Sequence, residues 1–76
     1  MALFHFHIIA DDGRMEDLEG KHLHDLEEVR EEAVAGAREI MSIRILGGTR
    51  SAHWIFEIEN EAGQPVLTMP FAEAVD

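Results

Sequence analysis

The stretch that most constrains the fold is the last third of the chain, Ala52 to Asp76. Within it, Glu59-Asn60-Glu61-Ala62-Gly63-Gln64-Pro65-Val66-Leu67-Thr68-Met69-Pro70-Phe71 reads as two strands around a glycine-containing turn, followed by a short apolar tail. The first strand, His53 to Glu59, alternates: Trp54, Phe56 and Ile58 share one face, and His53, Ile55, Glu57 and Glu59 share the other. Pro65 stands at the start of the second strand, where its missing N–H costs no ladder hydrogen bond. A lone hairpin is marginal in water, so this one must pair with an earlier segment.

The chain opens with another segment of strand period, Leu3 to Ile9. Phe4, Phe6 and Ile8 lie on one face of a strand; Leu3, His5, His7 and Ile9 lie on the other. Asp11-Asp12-Gly13 supplies turn chemistry. Arg14 to Glu19 then returns either as a short, acidic second strand with Met15 and Leu18 as its apolar contacts or as an irregular edge, ended by Gly20. The helix follows. Asp25 and Glu28 have capping-box spacing, and three acids in the first turn suit the positive end of the helix dipole. Leu26, Val29, Ala33, Ala37, Ile40 and then Ile43 or Arg44 form one apolar stripe, and Gly47-Gly48 stops it. Gly36 inside the helix is either tolerated or marks a close approach.

The order is therefore β-β-α-β-β, and it predicts an α+β fold. An antiparallel sheet of about four strands packs on one long helix, in a single domain spanning residues 1–76. One helix covers one sheet face. The other would show His5, His7, Ile9, Ile55 and Glu57, a mixed surface that suggests burial in a homodimer through sheet or helix.

At 76 residues without cysteine, the core must be thin and has no disulfide to supplement it. The net charge of −10 comes from sixteen acidic and six basic residues. Such a chain has no cationic surplus to neutralise phosphates, so nucleic acid and anionic membranes are not its expected partners. A basic protein partner is compatible, as is plain solubility. No signal peptide or membrane-spanning run is read, and the expected location is cytoplasmic.

Histidine is the only residue type that suggests site chemistry. His5 and His7 project from one strand face, about 6–7 Å apart at Cα. His22 and His24 repeat that spacing beside Asp25. Together His5, His7, His22 and His24 are the candidate metal ligands, of a type that suits zinc, nickel or copper. Histidines lying on a sheet face or in an interface are the plainer reading. Protonating all five would move the formal charge from −10 to −5, so acid could weaken a dimer that buried them. Catalysis has no comparable support. Cysteine and tyrosine are absent, Ser42 and Ser51 sit in no nucleophile motif, and Gly47-Gly48-Thr49 lacks a P-loop lysine. Asp11, Asp12, Glu16 and Asp17 do not match a calcium loop and read as a solvated acidic edge.

Several of these segments occur in the same order in one small family. They are the aromatic strand with His7, the Asp12-Gly13 turn, the Asp17-Leu18-Glu19-Gly20 step, the Asp25-to-Ala33 helix start, and the Glu59-to-Phe71 hairpin with its Ala74-Val75 end. The chain resembles DUF6894, an uncharacterised family of soil- and plant-associated proteobacteria, over nearly its whole length. It departs from that pattern at His5, where another aromatic is common, and in the His22/His24 pair. The resemblance implies no catalytic or cofactor-binding residues. The expected function is non-enzymatic association, as a homodimer in a regulatory or adaptor role and with no cofactor. The alternatives are a histidine-based metal binder and an acidic, antitoxin-like partner of a basic protein.

Overall fold

The computed structural model describes residues 1–75. Five strands and one helix form an α+β domain in the order β1 (Ala2–Ala10), β2 (Gly13–Met15), β3 (Lys21–Leu23), α1 (Leu26–Leu46), β4 (Ile55–Asn60) and β5 (Pro65–Pro70). A 3-10 turn, Phe71–Ala74, closes the described chain. The sheet is antiparallel throughout, with β1 and β4 at its centre and β5 on one edge. The other edge is shared. β2 pairs with Ile8 to Ala10, and β3 pairs with Ala2 to Phe4, so two short strands lie end to end along β1.

This edge is where the structure departs from the sequence expectation of a second strand over residues 14–19. Pairing stops at Met15, Leu18 stands 86% exposed, and the chain rejoins β1 only at Lys21. Residues 16–20 must pass alongside only three residues of β1, so they cannot keep strand register. The strand added to the expected four, β3, is three residues long, too short to show an alternation.

The helix begins and ends as its sequence dictates. Asp25 Oδ1 accepts the Glu28 N–H at 2.8 Å, and Glu28 Oε1 reaches back one residue beyond the cap to accept the His24 N–H at 2.9 Å, so the pair closes the helix entrance on both sides of Asp25. At the other end, Gly48 at φ 82° lets the Thr49 N–H reach Arg44 O and its own N–H reach Ile45 O. These are the two bonds of a Schellman stop. The buried face is narrow and built from small residues, Val29, Ala33 and Ala37. It lets the helix settle onto Phe4, Phe56, Ile58 and Met69 of the sheet, with Trp54 from the approach to β4 and Phe71 from the C-terminal turn completing the core. Leu26 and Ile43 lie outside the buried stripe and are exposed. Arg44 takes the place beside the core instead, with its guanidinium 4.3 Å above the Trp54 ring. Gly36 faces Phe56, yet a Cβ there would stand 3.5 Å from the ring, which is ordinary contact. The glycine is tolerated rather than required.

Candidate functional site

β1 and β4 place His5, His7, Glu57 and Glu59 on the sheet face away from the helix, with His5 opposite Glu59 and His7 opposite Glu57. Arg14, opposite Ile9 on β2, belongs to the same face. Its guanidinium reaches across to Glu57 and also bonds Glu16 and Glu59 at 3.2 Å each. The bond to Glu57 and the surrounding carboxylates raise the Arg14 pKa above its ordinary value. Beneath this network His7 is only 6% exposed. On this mixed face His7 is thus covered by side chains of the same chain, while His5, Ile9 and Ile55 stay partly exposed.

The organiser of this region is Asp17. It touches three consecutive residues of β1 in the gap between β2 and β3. Its carbonyl accepts His5 Nδ1–H at 2.8 Å, its Oδ2 accepts the Phe6 N–H at 2.8 Å, and its N–H donates to His7 Nδ1 at 3.0 Å. Its Oδ1 also accepts the Gly20 N–H at 3.1 Å. One residue thus stands in for the strand that is missing there, meeting the backbone's need for partners. Burial alone would raise the Asp17 carboxyl, but the N–H groups of Phe6, Gly20 and Glu19 outweigh it and lower its pKa.

These bonds set the histidine tautomers. His5 carries its proton on Nδ1. His7 accepts on Nδ1 and so carries its proton on Nε2, which donates to Glu59 Oε1 at 3.2 Å. Glu16 Oε2 lies 3.0 Å from the same Nδ1, placed to pair with a protonated ring. The two rings stack with centroids 6.0 Å apart and planes within 6°. His22 lies opposite Leu3 on β3 and is exposed, as is His24 at the helix entrance. The structure brings His5 and His7 together, and both make hydrogen bonds to the 16–20 segment or its neighbours. Among the described residues, no group of three or more His, Asp or Glu side chains is arranged to hold a metal ion.

A second acid–histidine contact joins the start of β2 to the β4 approach. Asp11 bonds His53 Nε2 and accepts Trp54 Nε1–H at 3.4 Å. The His53 bond first, and the Trp54 bond second, lower the Asp11 pKa. Ser51 lies nearby in sequence, but its buried Oγ has no hydrogen-bond partner. The three residues therefore do not form a nucleophile–base–acid relay.

Residues 3–72 match the family described as a domain of unknown function, DUF6894. The chain belongs to this family. No curated protein and no solved structure matches it. In this DUF6894 domain the sequence step Asp17-x-x-Gly20 was the legible trace of the organiser, because an aspartate three residues before a glycine is a side-chain-closed turn. Nothing local indicated that the same carboxylate would also cap β1.

Asp17→Asn should cost about 1–3 kcal/mol near neutral pH, because Phe6 and Gly20 cannot both keep an equivalent acceptor. The pH dependence follows from the lowered carboxyl. Its stabilisation is present above the ordinary aspartate range, near pH 4, and is lost as pH falls through the folded value. Urea melts from pH 6 downward should show a shallower acid decline in the variant. An unchanged acid arm would remove Asp17 from the account.

Proposed function

We propose that this DUF6894 domain acts by protein association, without catalysis of its own. It pairs as a symmetric homodimer through the C-terminal end of α1 and serves a regulatory or adaptor role. The observation that carries this reading is the gathering of exposed apolar side chains in the last turn of the helix. Ile43, Ile45 and Leu46 all stand largely in solvent, Leu46 at 87% exposure, and Val75 shares a cavity with Ile45. Single exposed hydrophobics are ordinary, but several in one turn mark a contact surface.

Charge favours the same end. Between Arg38 and Phe56 the sole carboxylate side chain is Glu39, while three of the six cationic residues, Arg38, Arg44 and Arg50, fall there. Two chains of net charge −10 repel through most of their surface, and they repel least where the acids are absent. A small domain with a thin core also gains stability by self-association.

Sedimentation velocity over a wide concentration range tests this. The wild type should dimerise, and Leu46→Glu should weaken the dimer by about tenfold or more, since burying one leucine is worth roughly 1.5–3 kcal/mol. A monomer at millimolar concentration, or a dimer indifferent to Leu46→Glu, overturns the reading.

A further inference from the structure

We infer that the open cavity beside the C-terminal half of α1 binds a small monocarboxylic acid with an apolar body. The cavity measures about 420 Å³ and lies between the helix, the loop that follows it and the C-terminal turn. Met41, Ile45 and Val75 supply apolar wall, and Arg38, Arg50 and Ser51 supply polar groups. A concave, largely apolar space of this size with a few convergent polar groups is the usual form of a small-molecule site.

Two observations point to an anionic head. Ser51 is 3% exposed, and its Oγ finds no hydrogen-bond partner. Buried hydroxyls are nearly always paired, so a donor left idle in a residue that lines the cavity is one that a turn of its side chain would offer to an acceptor arriving with a ligand. Arg50 is exposed and makes no ion pair with a described residue, although the chain carries sixteen acids. One guanidinium and one hydroxyl match a monoanion, since the second guanidinium on the wall, Arg38, is already engaged by Ala74 O.

The walls are held in place beforehand. The Thr49 N–H bonds Arg44 O at 2.9 Å and the Trp54 N–H bonds Ser51 O at 3.0 Å, which fixes the loop. Arg38 Nε donates to Ala74 O at 2.5 Å, which ties the helix to the turn carrying Val75. Little ordering remains to oppose binding. Ile45 and Val75 border the proposed pairing surface as well, so the titration is made on the Leu46→Glu variant, where a failure of pairing and a failure of this site are distinguishable.

Titration of ¹⁵N-labelled protein with octanoate tests the proposal, with octan-1-ol as the uncharged control and 4-phenylbutyrate as the aryl counterpart. Amide shifts should concentrate in residues 41–52 and at Val75. One of the two acids should bind about tenfold or more tightly than the alcohol, and the tighter acid identifies the body as alkyl or aryl. Arg50→Gln should abolish the preference for acid over alcohol. Ser51→Ala, which removes an unpaired buried hydroxyl and so should fold as well as the wild type, should weaken acid binding several-fold. Equal binding of alcohol and acids overturns the proposal. So do shifts confined to other parts of the chain, equally tight binding of inorganic phosphate, or indifference to Arg50→Gln.

Discussion

Gly20→Ala should lose about 2–5 kcal/mol of stability, from two independent sources. The residue sits at φ 73°, where a side chain costs roughly 1–2 kcal/mol. The added Cβ would also stand 2.9 Å from Leu3 Cδ1, 2.9 Å from Phe4 O and 3.0 Å from His5 Cε1. The leucine can turn aside, but the Phe4 carbonyl belongs to the central strand and cannot, so the loop must move off β1, with an overpacking cost of about 1–3 kcal/mol. Moving it strains the Asp17 bonds to His5, Phe6 and His7. The control is Gly63→Ala, at φ 82° with open space around its Cβ, which should lose only the conformational part. Chemical denaturation of both variants decides the matter, and equal losses would show that the close approach to β1 is not what Gly20 provides. The His5 and His7 ring resonances should shift in the first variant and stay in place in the second.

Phe71→Ala should lose about 3–5 kcal/mol. The side chain is fully buried, its ring centroid lies 4.8 Å from that of Phe56 and 6.1 Å from that of Trp54, and its N–H bonds Trp54 O at 2.8 Å. It is the point where the C-terminal turn enters the core between sheet and helix. A domain of this size has roughly 4–11 kcal/mol in total, so the variant should be largely unfolded at modest urea. A loss below about 1.5 kcal/mol would mean that the surrounding aromatics collapse into the space, and that the turn is not anchored there. Because Val75 follows the same turn, the variant should also disturb the cavity under Ser51.

Much of the architecture was legible because it rests on local chemistry. The capping box at Asp25 and Glu28, the glycine stop at Gly47 and Gly48, and the alternation that puts Phe4, Trp54, Phe56 and Ile58 on one face are all encoded within a few residues. The helix stripe was legible in its middle, misread at Leu26, and left open at its far end between Ile43 and Arg44. Leu26 and Ile43 have the right spacing, but the sheet beneath does not extend to them, and Arg44 covers Trp54 instead. The candidate histidines were legible only as residues of the right type. Spacing puts His5 and His7 on one face, yet it carries no information about the carboxylates that arrive from β4 and the 16–20 segment, or about the Arg14 guanidinium from β2.

The sequence by itself determined an α+β order with one helix, the apolar sheet face, the acid-rich character of the chain and its membership of DUF6894, since periodicity, caps and composition are properties of neighbours along the chain. Only the tertiary structure decided that Asp17 replaces a missing strand, that Arg14 and three glutamates close over His7, and that Ser51 lies buried without a partner. Those arrangements join residues ten to fifty positions apart. Their geometry depends on how the sheet edge is shared and where the helix ends over it, and no local pattern encodes either.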